Sequence, residues 1–315
     1  MALTSGLAGQ FGFVAETTYG TPVTVTRFVP LVDESVQTEI DKLESEGIIA
    51  GARVLRSQQW SQGYRRSEGD VGMEVYDRSI GLLLHHALGT VATSGAGPYT
   101  HTFTPGDLAG KGLTMQFGRP NRNGTVIPFT YAGGKIQSWE IAVAAGEIAT
   151  FGITAVAQTE TNGITLASAN YATSIRPMTF VNGSFTLGSS SLCVRSAQIS
   201  GENRLSTDRT CIGQNFIDEP TEADLREYTG EIEVEFYDLS LYNRFLQGTE
   251  AAMSLVLSAP GTATLTVAAN VRTDGETPNI EGRDLLVHTL NFKCVGTNSD
   301  ASAITMTFVN NDTTP

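Results

Sequence analysis

Apolar and polar residues alternate along much of this chain with a period of two, the spacing of strands buried on one face. Val71, Met73 and Val75 alternate with Asp70, Gly72 and Glu74, and Ile232, Val234 and Phe236 alternate with Glu231, Glu233 and Glu235. The two stretches, GDVGMEVYDRS at 69–79 and GEIEVEFYDLS at 230–240, align without a gap at an offset of 161. After the Tyr-Asp of the first copy the period changes. Ile80, Leu83, Leu84, Ala87 and Leu88 fall at helical spacing before Gly89, and Leu241 and Phe245 repeat the pattern more weakly before Gly248. Asp77 and Asp238 are the expected N-caps. A strand and helix written twice imply two domains.

Residues 1–27 are rich in Gly and Thr and read as an extended arm rather than core. A first domain is expected over 28–158, a linker over the aperiodic 159–177, and a second domain over 178–315. Each has strands (FVPLVDESVQTEI; FVNGSFTL and CVRSAQIS) and then a long polar excursion, 41–69 or 202–230. The repeated strand and helix follow. Residues 89–110 form a Gly/Pro-rich connection, and KIQSWEIAV with EIATFGITAVAQ form a closing hairpin. In the second domain LVHTLNFKCV and AITMTFVNN play that part after a Gly/Pro loop, Leu290, Phe292 and Cys294 standing where Trp139, Ile141 and Val143 stand. That alignment implies a loss of about ten residues from the second copy, of the kind loops tolerate.

Composition narrows the function. Charged residues make up 17% and hydrophobic ones 40%, a β-rich globular balance, and the net charge of -13 disfavours a basic footprint on nucleic acid. Cys193, Cys211 and Cys294 are odd in number, lack CxxC spacing, and read as buried thiols. The N-terminus lacks a signal-peptide pattern and no run is long and apolar enough to span a membrane, so the chain is expected to be made in the cytoplasm without a cleaved signal. His85 and His86, adjacent on the helix, read as surface or boundary residues, and Asp33, Glu34, Asp41, Glu44 and Glu46 lack EF-hand spacing. No P-loop, GxSxG or HExxH is present, so no catalytic residue, metal or cofactor is assigned. Arg outnumbers Lys 16 to 4, and guanidinium forks suit carboxylates at protein interfaces. Arg53, Arg56, Trp60, Arg65 and Arg66 of the first excursion, with Arg204, Arg209, Asp218, Glu219 and Asp224 of the second, are therefore the candidate inter-subunit contacts.

GQFGFVAETTYGTP, FVPLVDESV, the Leu-Glu-Ser-Glu-Gly-Ile stretch, RSQQWSQG and GDVGMEVYDRSIGLLLHHALG, all within residues 8–90, together resemble the major tail tube protein of long, non-contractile-tailed (siphovirus-type) bacteriophages. The resemblance implies a mainly β fold: two tandem β-sandwich or half-barrel domains, each with a short flanking helix and a long projecting loop or hairpin. It also implies a structural virion protein, made in the bacterial host, whose rings stack into a tail tube that conducts the genome. Tape-measure and tail-terminal proteins are its implied partners; DNA passes without specific binding, and no membrane is engaged. Single-domain relatives form six-fold rings with about four barrel strands per domain, so a doubled chain is expected to form trimeric, pseudo-six-fold rings. Asp70, Glu74, Glu231, Glu233 and Glu235 are the candidate lumen residues, since a wall that repels phosphate does not hold DNA. The alternatives are a virion-associated β-sandwich adhesin or carbohydrate-binding module, or a hydrolase whose site the sequence does not reveal.

Overall fold

The computed structural model describes residues 5–261, 263–275, 277, 285–297 and 302–315; residues 278–284 of the expected Gly/Pro loop lie outside them. The N-terminal half runs β1 (Gln10–Ala15), β2 (Arg27–Val29), β3 (Asp33–Glu34), β4 (Gln37–Glu44), β5 (Trp60–Glu74), α1 (Gly81–Leu88), β6 (Gly89–Ser94), β7 (Tyr99–Pro105), β8 (Leu113–Pro120), β9 (Val126–Ala144), β10 (Thr150–Ala157) and β11 (Thr159–Thr161). The long β9 belongs to two sheets. Its first part pairs with β8 and β11, and its second with β10 after a register shift at Thr154/Ala155. Such irregularities bend a strand from one layer into another. One sheet is therefore β2–β1–β8–β9–β11 and the other β4–β5–β10–β9. Phe11, Phe13, Met115 and Phe117 of the first join Met73, Ile153, Trp139 and Ile141 of the second in the buried core.

The C-terminal half runs β12 (Ser184–Leu187), β13 (Ser190–Leu192), β14 (Val194–Glu202), β15 (Leu205–Ser206), β16 (Thr221–Glu222), β17 (Glu227–Glu235), α2 (Ser240–Gln247), β18 (Ala251–Ser258), β19 (Thr264–Gly275), β20 (Val287–Cys294) and β21 (Ile304–Asn310). β13–β12–β18–β19–β21 forms one sheet and β14–β17–β20–β19 the other, with β19 shared as β9 is. The registers also agree. Phe13 opposes Met115 as Leu187 opposes Met253, Val71 opposes Ile153 as Ile232 opposes Leu290, and Asp33 opposes Gly72 as Ser196 opposes Glu233. The halves join where β9, Ser138–Ala144, pairs with β14, Ser196–Glu202. Gly201 there lies under the Trp139 indole, and a Cβ on it would come within 2.5 Å of the ring.

Several expectations need correction. The supposed arm at 1–27 carries β1, whose Phe11 and Phe13 are fully buried, because every second residue of QFGFVA faces the core. Linker residues Thr159–Thr161 are strand β11, and Ala167 is tied to both Gln10 and Gln116. The connection at 89–110 holds the β6–β7 hairpin, whose β7 extends the second half's sheet by pairing with β21. Leu290 takes the place of Ile153 rather than Trp139, and β20 and β21 flank β19 instead of pairing with each other. Gly89 and Gly248 are 159 positions apart but Met115 and Met253 only 138, so the second half lacks 21 residues, essentially that hairpin.

The helices differ in setting. Ile80, Leu83, Leu84, Ala87 and Leu88 are all fully buried, and Gly89, at φ 111°, closes α1. None of the α2 residues is buried. Asp77 does not cap α1: its carboxylate accepts from the Arg176 amide, while Asp312 from the far end of the chain accepts from the Ser79 amide. Asp238 accepts from the Ser240 amide at the start of α2, and hydrogen bonding from the Ser240 side chain, then from this amide, holds its carboxyl below the usual range. His86 is buried, not at the surface, and Cys193 and Cys211 are exposed whereas Cys294 is buried.

Candidate functional site

Strand pairing fixes what the second sheet of each half presents. Across the β9–β14 join the two make one antiparallel sheet in the order β4–β5–β10–β9–β14–β17–β20–β19. Alternation sends Val71, Met73, Ile153, Ile141, Ile199, Ile232 and Leu290 into the core. It leaves Asp70, Glu74, Glu140, Glu231, Glu233 and Glu235 on the opposite face, none of them buried. The five acidic residues singled out from the alternation, Asp70, Glu74, Glu231, Glu233 and Glu235, thus share one face of a continuous sheet. Glu140 joins them; its acidic position within KIQSWEIAV was legible, but its adjacency to β14 was not. The face is not wholly acidic, since Arg195 lies 3.8 Å from Glu233 and Lys293 meets Glu227 at 2.5 Å. Lys293 and Arg204 hold the Glu227 carboxyl below the usual carboxylate range.

The first excursion is a projecting β-hairpin. β4 and β5 pair out to Glu44 and Trp60, and the tip between them leaves Ile48 98% and Val54 79% exposed. Arg66 pairs with Glu39 at 3.2 Å, while the Arg53 and Arg56 guanidiniums make no ion pair among the described residues. Trp60, where the paired strands give way to the tip, is 45% exposed. Arg65 contributes its amide, which donates to Asn215 of the second excursion.

The second excursion lies against the first half of its own chain. Ile217 is fully buried, its carbonyl accepting from Gln158, and Glu219 accepts from Lys135 Nζ at 2.6 Å and from the Gly110 amide at 2.6 Å. The Lys135 side chain is 2% exposed and also donates to the Leu108 carbonyl at 2.7 Å. Burial lowers the Lys135 pKa, with Glu219 opposing that shift. Arg209 donates to the Glu219 carbonyl, Arg204 pairs with Glu202 and Glu227, the Cys211 thiol donates to the Asp218 carboxylate, and the Asp224 carboxylate accepts from the Leu225 amide. The expected carboxylates of the second excursion are thus engaged at home. Lys135 was not singled out from sequence, because a lone Lys in an alternating strand carries no sign that a loop 84 positions away covers it.

The described residues hold no cluster of His, Cys, Asp and Glu suited to a metal. The depression on the polar face is lined by strand side chains, among them Glu227, Glu231 and Lys293. The family model for phage tail tube proteins matches residues 6–294. The chain belongs to that family. No curated protein matches it. The tube protein is a structural component of the virion tail, self-assembling and without enzymatic activity. β4, which pairs only with β5 among the described residues, and the exposed hairpin tip suit a self-assembling chain.

Proposed function

We propose that this tube protein carries two tandem tube domains, that three copies close a pseudo-six-fold ring of a long, non-contractile (siphovirus-type) tail, and that the acidic sheet face lines the lumen. One observation carries the reading: each chain lays down eight consecutive strands, four from each half in matching register. The domain boundaries follow the pairing: β1–β11 in one domain and β12–β21 in the other. Three chains supply 24 strands. At a spacing of about 4.8 Å and a tilt of about 45°, they give a circumference near 160 Å and a backbone diameter near 50 Å, roomy enough for a duplex after side chains are added. Six chains would double the strand number and leave a pore far wider than DNA needs.

Asp70, Glu74, Glu231, Glu233 and Glu235 then line the bore, Glu231 at the edge of the wall beside an open depression, and a negative wall keeps salt-dependent attraction low. Arg53, Arg56 and Trp60 are the contacts most available to a neighbour, since Arg66, Arg204, Arg209 and Glu219 have partners within the chain. The tape-measure protein would fill the same lumen before ejection, and tail-terminal proteins would cap the stack. Native mass measurement of isolated rings, with symmetry-resolved imaging of tubes, tests the stoichiometry. Three chains per ring are expected; six would overturn it, and a lumen lined by Lys and Arg would overturn the wall.

A further inference from the structure

The two halves differ at one matched place. In the first half Lys135 of β9 opposes Val156 of β10, and Val156 in turn opposes Glu68 of β5. In the second half Arg272 of β19 opposes Lys293 of β20, and Lys293 opposes Thr229 of β17, which is Glu68 displaced by 161. Lys135 and Val156 are both buried, and the second excursion is fastened beside them by Glu219 to Lys135 and by the Ile217 carbonyl to Gln158. Their counterparts are open: Arg272 is exposed and the Lys293 side chain is 44% exposed. An open depression of about 580 Å³ occupies that place, lined in part by Glu227, Glu231, Arg272, Asp274, Asn291 and Lys293.

We propose that this depression on one copy is the seat of the first-excursion tip, residues 47–59, of the next copy in the same ring; the inference rests on the ring of tandem domains above. Within the chain, the excursion of the second domain reaches back over the domain before it. In a closed ring the domain preceding a first domain is the second domain of the adjacent copy, so the first excursion has an equivalent seat only there. The lengths agree. Twenty-seven positions separate the paired residues Glu39 and Arg66 at the base of the first excursion, and 25 separate the paired residues Glu202 and Glu227 at the base of the second.

Chemistry agrees as well. Ile48 and Val54, exposed in the single chain, supply the apolar contact that Ile217 makes in the filled seat. The filled seat holds Lys135 under an excursion bearing Asp218, Glu219, Glu222 and Asp224, whereas the open one sets Glu227, Glu231 and Asp274 against Arg272 and Lys293, a net negative lining that meets a tip whose only charges are Arg53 and Arg56. The acidic excursion thus suits the seat with Lys135 and the basic tip suits the other.

Disulfide trapping tests the seat. In a Cys193→Ser/Cys211→Ser background, chains carrying Val54→Cys are co-assembled with chains carrying Asn291→Cys, and the tubes are oxidised and run on a non-reducing gel. Covalent dimers are expected from the mixture and not from either chain alone. A single chain with both substitutions should give a ladder ending at three. Val54→Cys paired with Thr154→Cys, the matched position in the already covered half, should give none. Tubes without dimers, or equal trapping at Thr154→Cys, would overturn the seat while leaving the tube reading intact. A parent chain that forms neither rings nor tubes would sink both.

Discussion

Replacing Glu219 by Ala removes the charge partner of a lysine that has almost no access to water. Lys135 Nζ lies 2.6 Å from the carboxylate and 2.7 Å from the Leu108 carbonyl, with the Tyr19 ring 5.5 Å away. At an effective dielectric of about 20, the gross attraction at that separation is about 6 kcal/mol, and desolvation of the ammonium offsets much of it. The loss on truncating one partner is set by the charge left behind, about 3–5 kcal/mol. The lower end applies here, because Glu219 is 28% exposed and water can follow its removal. Glu219→Gln keeps a carbonyl acceptor for Lys135 and Gly110 and should cost about 1–2 kcal/mol. Lys135→Met removes the buried charge and leaves a carboxylate that reaches water, so it should cost less than Glu219→Ala. The double substitution should likewise cost less than Glu219→Ala alone. Urea unfolding of the full-length chain below its assembly concentration, compared by midpoint at constant slope, measures all four. The sign with pH follows from the lowered folded-state pKa of Lys135. Between that value and the unfolded one near 10.5 the unfolded chain binds more protons, so stability from this group rises with pH. The Glu219→Ala deficit should therefore shrink as pH rises toward 10.5. Additive costs, or Lys135→Met costing more than Glu219→Ala, would refute the claim that the pair fastens the second excursion to the first half.

His86, buried and beside His85, Lys111 and Lys135, has its pKa lowered to about 3, burial being the largest cause. It stays neutral in the fold while the unfolded chain takes up a proton below about 6.5, so stability should fall by up to about 1.4 kcal/mol per pH unit between those values; His86→Met should flatten that limb of a stability-versus-pH curve. Gly201→Ala forces a methyl into the Trp139 indole at the β9–β14 join, for about 1–3 kcal/mol of overpacking. In a Trp60→Phe background it should also change Trp139 emission, and an unchanged spectrum and melting temperature would show that the indole is free to move.

The sequence by itself determined the local elements. Alternation in GDVGMEVYDRS and GEIEVEFYDLS marked the buried face of β5 and β17, because a strand's side chains cannot choose their face independently once one face is covered. Helical spacing from Ile80 to Leu88 and the glycine after it placed α1, and the polar stretch at 41–69 read as a projecting hairpin or loop, of which 60–69 belong to the pairing strand β5. The family and its structural role were legible in the order of such segments. What only the tertiary structure decided was pairing. Leu290 and Trp139 have similar neighbours along the chain, yet Leu290 occupies the place of Ile153, because hydrogen bonding between strands distant in sequence leaves no local period. QFGFVA is short and Gly-flanked, so its burial depended on β8 lying beside it. Asp77 had the residue type of a cap, but Asp312, 235 positions away, reached the α1 entrance instead. The second excursion, like the first, looked from its sequence like a polar projecting loop. Only the surface beneath it, with Lys135 in need of a carboxylate, made one excursion a clasp while the other stayed free.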